Sequence, residues 1–263
     1  VLSIYYRQAL EAKIQAFQQA IPDIIYIYFR RQMKYLRSMR KRSIISVLQI
    51  LLFFICIFIF IRLVEEFIYE KEVNLDNYFI SKVSELDSQR LTHLMEIISF
   101  TASATFLQIS YSILILAFIL KKQYKTAIKT FSIAIGGYLI NFLMKLAFHR
   151  LRPSDPLVEP LSNFSFPSGH ATSGFIFYGL IAYLLLKSKI NIYLRYSMCI
   201  ILIAYSLLIG FSRIYLRLHY PSDVVAGFCI GIVWLILMLN LFKKLSPDNN
   251  NAATEKMKDQ VSA

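Results

Sequence analysis

Six long apolar runs constrain this chain more than any other feature: roughly Ile44–Ile61, Ile97–Leu120, Thr130–Phe148, Ala171–Leu186, Tyr196–Phe211 and Val224–Phe242. A helix needs about 17–25 apolar residues to cross a bilayer, and each run is near that length. The fourth and fifth are the shortest. Inside hydrocarbon only helices and closed barrels satisfy every backbone N–H and C=O. The runs are continuous rather than alternating, so they predict helices and not barrel strands. The expected fold is all-α: a polytopic membrane protein built as a six-transmembrane-helix bundle. Composition agrees, with 57% apolar residues, 17% charged residues and a mean hydropathy of +0.52. Soluble chains carry about 25% charged residues. Disorder, a nucleic-acid module and a small disulfide scaffold are excluded on the same grounds. Cys56, Cys199 and Cys229 all fall inside apolar runs. Their odd number and irregular spacing match no metal motif and read as core or lipid-facing positions.

The net charge of +13 acquires meaning from its placement. An even number of spans puts both termini on one side. The segments 1–43, 121–129, 187–195 and 243–263 hold 20 of the 29 Lys and Arg but only 5 of the 16 Asp and Glu. The positive-inside rule therefore predicts cytoplasmic termini and outward-facing loops at 62–96, 149–170 and 212–223. The first of these is acidic, with Glu65, Glu66, Glu70, Glu72, Asp76, Glu85, Asp87 and Glu96. It either leans over a site or repels anions. Residues 1–43 read as a cytoplasmic helical segment. Leu10, Ile14, Phe17, Ile21 and Ile25 share one helical face, and Pro22 should kink it. The basic residues within 30–42 serve as an orientation signal or as a grip on anionic lipid. No cleavable signal peptide is expected, because the first long apolar run begins only at Ile44, after those basic residues. The expected organisation is 1–43 cytoplasmic and amphipathic, 44–243 the six-helix membrane domain, and 244–263 a polar, disordered tail.

Charged residues at the ends of membrane helices are costly and by default functional. Three clusters fall on the predicted outer face: Lys145 with Arg152-Pro153, then Pro167-Ser168-Gly169-His170, then Ser212-Arg213 with His219 and Asp223. Three cations, two histidines and a carboxylate suit a tetrahedral oxyanion. Pro153 disfavours helix at Arg152, so Arg152 should sit just past a helix end. Ser168 suits an N-cap, Gly169 permits close backbone approach, and the helix-start N–H groups would face an anion. Pro221 fits the first turn of the last helix, with Asp223 in the same turn. His219, four residues earlier, is within reach of that carboxylate. Arg150 and Arg217 lie outside the clusters and read as headgroup or rim charges. His93 and His149 read as interfacial. Asn163-Phe164-Ser165 is a formal glycosylation sequon, taken as accidental because it sits between two clusters.

In this order and spacing, Lys145-x6-Arg152-Pro153, Pro167-Ser168-Gly169-His170 and Ser212-Arg213-x5-His219-x3-Asp223 resemble the three-part signature of the type 2 phosphatidic acid phosphatase (PAP2) superfamily, membrane branch. Every signature position is filled. The resemblance implies that His219 is a nucleophile forming a phosphohistidine, that Asp223 orients it, and that His170 is the general acid and then base. It implies a phosphate clamp of Lys145, Arg152 and Arg213 with Ser168 and Gly169, and neither metal nor cofactor. The implied substrate is a lipid phosphate or diphosphate at the outer leaflet: undecaprenyl diphosphate, phosphatidylglycerol phosphate, phosphatidic acid or similar. The compact length suggests a bacterial cytoplasmic (inner) membrane, with the site on the periplasmic or extracellular face. Three alternatives stand beside it. One is a lipid A phosphatase or a phosphotransferase passing phosphate to a second lipid. The second is a vanadate-dependent haloperoxidase-like oxidoreductase, which six spans disfavour. The third is a non-catalytic lipid-binding or flippase-like protein, which an intact signature disfavours. Membrane lipids are the expected partners, nucleic acid is not, and the oligomeric state stays open.

Overall fold

The computed structural model describes residues 44–66 and 74–245. The expected amphipathic helix before residue 44 and the tail after 245 lie outside the described residues. The chain divides into two compact units, Val1–Leu52 and Phe53–Ala263. All regular structure among the described residues is helical: α1 (Ile44–Glu66, which belongs to both units), α2 (Asn74–Ser84), α3 (Gln89–Phe100), α4 (Ala104–Leu120), α5 (Tyr124–Phe148), α6 (Gly169–Lys187), α7 (Ile192–Tyr215) and α8 (Pro221–Leu245). Five of these, α1 and α5 to α8, are long and apolar enough to cross a membrane. The pair α3–α4, bent by 40°, passes the same test only when its two helices are taken together, as a broken span or a re-entrant loop.

The bend corrects the expectation of a continuous second span. The run 97–120 contains Ser99, Thr101, Ser103 and Thr105, and short hydroxyl side chains compete for helix backbone groups. Thr101 Oγ1 bonds Ile98 O at 2.7 Å, and Ser103 N-caps α4 by accepting from Phe106 N–H at 3.2 Å. The span also starts earlier than read, at Gln89, with Ser88 as N-cap. The stretch 62–96, expected as an outer loop, instead supplies the end of α1, all of α2 and two thirds of α3. The other spans exceed the apolar runs because their ends carry Lys and Arg that hydropathy rejects. Thus α5 begins at Tyr124, so that it includes Lys125 and Lys129, and α7 begins at Ile192.

Short connections make α4 and α5, α6 and α7, and α7 and α8 antiparallel neighbours, and the longer loop 149–168 joins α5 to α6. Lys121 to Gln123 turns α4 into α5, with Lys122 in the left-handed region at φ 57°. Residues 188–191 join α6 to α7. The end of α5, the start of α6, the end of α7 and the start of α8 are thereby brought to one end of the bundle, opposite the Lys-rich turns. α6 is central. Its Phe177 and Tyr178 pack with Met95, Ile98, Leu107, Ile209 and Tyr215, while its Ile176 and Leu180 pack with Ile133, Leu235 and Met238. α8 crosses the start of α6 closely at Gly227, where an added Cβ would sit 2.7 Å from Ser168 O. The outer faces are apolar: Ile109, Ile113 and Leu116 on α4, Phe131, Leu139 and Leu143 on α5, and Ile200 and Ile201 on α7 are all exposed. Apolar patches on soluble monomers rarely exceed a few hundred Å², so these faces belong against lipid and the protein is integral to a membrane.

Candidate active site

Four helix ends and two loops build the site. α5 stops at Phe148 because His149 takes the left-handed conformation (φ 48°) while its N–H returns to Lys145 O at 3.3 Å. Lys145 is left in the last turn and Arg152 just beyond it. At the far end of the following loop, Ser168 N-caps α6, its side chain accepting from Ala171 N–H. α7 ends at Tyr215, and the chain reverses through Arg217, also left-handed (φ 53°). The N–H groups of Leu218 and His219 thus fold back onto Arg213 O at 3.1 and 3.2 Å. Arg217 is tied down by ion pairs with Asp87 and Asp155, consistent with a rim charge.

Pro221 opens α8, and Asp223 occupies the third position of its first turn. Asp223 Oδ2 reaches back to Tyr220 N–H at 2.9 Å, the reciprocal half of a capping box. The same oxygen accepts Ser165 Oγ–H at 2.5 Å and lies 3.5 Å from His219 Nδ1. Ser165 Oγ is 3.3 Å from His219 Nδ1. With its own proton given to Asp223, Ser165 accepts from the ring. The arrangement assigns the imidazole proton to Nδ1 and leaves Nε2 with a lone pair. Nε2 takes Arg152 Nη1–H at 3.2 Å. His219 is almost wholly buried. Burial pulls its pKa down to about 3, against the opposing pull of Asp223. The ring is therefore neutral at neutral pH.

The cations are held by main-chain and side-chain acceptors rather than by carboxylates. Lys145 Nζ donates to Phe164 O. Arg152 donates to Asn163 O at 2.8 Å, to Asn163 Oδ1 at 2.5 Å and to Leu218 O. Burial lowers the Arg152 pKa to about 10, partly offset by Asp223. Arg213 is 4% exposed; its Nη1 donates to Ser99 Oγ at 2.5 Å, and its buried Nε has no acceptor among the described residues. Lys145, Arg152, Arg213 and His219 all come close enough to His170 to interact with it electrostatically. Ser168 is fully buried, and its N–H is bound to Asp223 O at 2.9 Å, fastening the start of α6 to the start of α8. Gly169 lies against Asn141, whose Oδ1 would be 3.2 Å from an added Cβ. All eight residues singled out in the sequence thus gather at one end of the bundle.

Four residues of this cluster escaped the sequence reading. Arg150 is not a headgroup or rim charge. It is buried because two carboxylates and a ring take it up: Asp223 Oδ1 at 2.7 Å, Asp76 Oδ2 at 2.8 Å, and the Tyr220 face at 4.3 Å. Those carboxylates outweigh burial and raise its pKa above the ordinary arginine value. Asp76, one acid among many in the stretch 62–96, neither overhangs the site nor faces solvent. It is 2% exposed and accepts Ser222 N–H at 2.8 Å. The sequon residues Asn163 and Ser165 are bound to Arg152 and Asp223, so that tripeptide is spent on the site itself. Only the proximity of Arg150 to Arg152 in sequence signalled any of this.

A cavity of about 600 Å³ runs from this cluster between α4, α5 and α6. Lys145, Asn163, Gly169 and His170 line its head; Leu107, Ile115, Phe131, Ile135 and Ile176 are among the mainly apolar residues of the remainder, which also includes Gln108 and Ser112.

The fold and site define an integral-membrane helical bundle with a cationic, histidine-containing pocket at one end. Residues 125–247 match the model of the PAP2 superfamily. Phosphatidylglycerophosphatase B of Bacillus subtilis is 36% identical over 110 residues, 41% of this chain and 53% of that protein. Undecaprenyl-diphosphatase BcrC of the same organism is 31% identical over 118 residues, 43% of this chain and 56% of that one. The chain therefore spans about half the length of the curated relatives it matches. The crystal structure of a transmembrane PAP2 type phosphatidylglycerolphosphate phosphatase from Bacillus subtilis superimposes with a TM-score of 0.65 at 25% identity, covering 76% of this chain and 98% of that one. These relatives are named as lipid phosphatases and diphosphatases.

Proposed function

We propose that this protein hydrolyses a phosphate or diphosphate carried by a membrane lipid, with His219 as nucleophile. The observation that carries the reading is the continuity of the cationic head, with Lys145 and His170, and an apolar cavity that reaches down the bundle among α4, α5 and α6. A lipid tail gains little free energy by leaving the bilayer for such a groove, because both are equally apolar. The groove therefore selects by shape, and the cations supply the affinity. Arg213 Nε, buried and with no acceptor among the described residues, supports an anionic acceptor beside it, since buried donors rarely go unpaired.

In this reading Nε2 of His219 attacks phosphorus while the bond to the lipid oxygen breaks. His170 gives that oxygen its proton. His170 then takes a proton from water, which attacks the phosphohistidine and releases inorganic phosphate. Lys145, Arg152 and Arg213, with the Gly169 N–H, stabilise the charge on the equatorial oxygens. Asp223, with Ser165 between them, keeps the proton on Nδ1, as a carboxylate does for the nucleophile-activating histidine of other hydrolases. The named relatives favour a glycerophospholipid phosphate or undecaprenyl diphosphate as substrate. Charge asymmetry favours a site on the outer face of a bacterial cytoplasmic membrane, with both termini inside.

The test is phosphate release by detergent-purified protein, with EDTA present, on a panel of lipid phosphates and diphosphates beside His219→Ala. Release from one or two lipids, lost in the variant, is expected. Undiminished release by the variant would overturn the assignment.

A further inference from the structure

Arg150 is 6% exposed, sits outside the signature and does not line the groove. Its Nη1 donates to Asp223 Oδ1 and to Ser222 Oγ, both at 2.7 Å, and its Nη2 donates to Asp76 Oδ2 at 2.8 Å. Asp76 belongs to α2, 146 residues away from Ser222 in sequence, yet it also takes the Ser222 N–H at 2.8 Å. We propose that Arg150 is a positioning residue for the His219–Asp223 pair, and that Asp76 acts through it, so that seating α2 against the start of α8 is a condition of fast turnover. This role presupposes the phosphatase reading given under Proposed function.

The terminal torsion of an aspartate is broad and two-fold, so one hydrogen-bonded oxygen does not fix the carboxylate plane. Asp223 Oδ2 serves Ser165, Tyr220 N–H and His219, and Oδ1 is held from the other side by Arg150. A guanidinium is a rigid planar fork, and here one fork joins two carboxylates and a hydroxyl. Lysine offers a single point charge and cannot span all three. The Tyr220 ring below the guanidinium fixes its plane. Asp76 then decides where the fork sits. α2 carries nothing that faces the groove, so its link to the chemistry runs through this contact. Its Tyr78 and Phe79 are exposed.

The experiment uses the full chain in detergent, with phosphatidylglycerophosphate in mixed micelles as probe. kcat, KM and thermal melting are measured for Arg150→Gln, Arg150→Lys, Asp76→Asn and the Asp76→Asn/Arg150→Gln double variant. Outer partners of a metal-ligating histidine typically contribute about 10–100-fold when removed, and the same scale is expected for a partner that orients a nucleophilic one. Arg150→Gln should lose kcat on that scale while KM stays within about twofold, because the groups that hold phosphate are untouched. Arg150→Lys should recover part of the loss. Asp76→Asn, which keeps the shape and the Ser222 N–H bond but not the acceptor for Ser222 Oγ–H, should lower kcat less, and should add nothing in the Arg150→Gln background. Where Arg150→Gln does not fold, Arg150→Lys and Asp76→Asn decide by the same kcat-against-KM split. Wild-type kcat in Arg150→Gln, losses that multiply in the double variant, or a loss confined to KM and melting would each overturn the inference. A wild-type protein that releases no phosphate from this or any other lipid would overturn the phosphatase reading, and the inference with it.

Discussion

Ser165→Ala removes a single oxygen from the centre of the His219–Asp223 contact. That oxygen donates to Asp223 Oδ2 at 2.5 Å and lies 3.3 Å from His219 Nδ1, and the residue is fully buried. A hydrogen bond to a charged group contributes about 1.5–3 kcal/mol. The direct Nδ1–Oδ2 approach of 3.5 Å survives, as does the Tyr220 N–H bond. The loss should therefore fall short of the roughly 10⁴-fold seen when a triad carboxylate itself is replaced. If the whole bond is needed when the imidazole attacks, about 1.4 kcal/mol per tenfold in rate gives a fall of about 10–100-fold in kcat. KM should change little, because the hydroxyl bonds Asp223 and the His219 ring and none of Lys145, Arg152 and Arg213. The assay is phosphate release at saturating lipid phosphate, with rapid-quench measurement of phosphoenzyme formation and a thermal melt to exclude gross unfolding. A kcat within twofold of wild type in a folded variant would refute the placement of Ser165 as a bridge.

Arg152→Lys should lower kcat/KM by about 100-fold or more, because an ammonium cannot reproduce a fork that meets Asn163, Leu218 and His219 at once; steady-state kinetics on a lipid phosphate reads this. Gly227→Ala should destabilise the protein by about 1–3 kcal/mol, since the new Cβ meets the Ser168 carbonyl, which no rotamer change can move; an unchanged melting temperature would contradict that packing. The folded pKa of His219, about 3, lies below its unfolded value, so the unfolded chain binds this proton more tightly. The stability it contributes is complete above about pH 6.5 and is lost as pH falls towards 3. Melting temperature should therefore decline with acidification across that window, and decline less in His219→Gln. Equal slopes for the two proteins would refute the assignment of a depressed value.

Much of this architecture was legible because hydrocarbon leaves a chain few options. Continuous apolar runs located α1 and α5 to α8, and helix-start chemistry placed Ser168 and Pro221. The bend in α3–α4 was missed because hydropathy sums over Ser99, Thr101 and Ser103 without registering that each can bond the backbone. Span ends were missed where Lys125, Lys129 and Arg195 extend a helix into the polar interface. At the site, the residues that would meet phosphate form a spaced pattern and could be read. Those that hold them could not. Arg150, Asp76 and Ser165 are joined by contacts between elements far apart in sequence, and each has an unremarkable local context. Asp76 in particular was one carboxylate among eight in the stretch 62–96.

The central step in the proposed reaction is a covalent bond between phosphorus and Nε2 of His219. Brief exposure of the purified protein to lipid phosphate labelled on phosphorus, followed by quenching in alkali and peptide mapping, tests it most directly. The predicted result is an acid-labile, alkali-stable label on the peptide that contains His219, lost in His219→Gln and accumulating in His170→Gln, where hydrolysis of the intermediate lacks its base. Label on another residue, or steady turnover by His219→Gln, would contradict it.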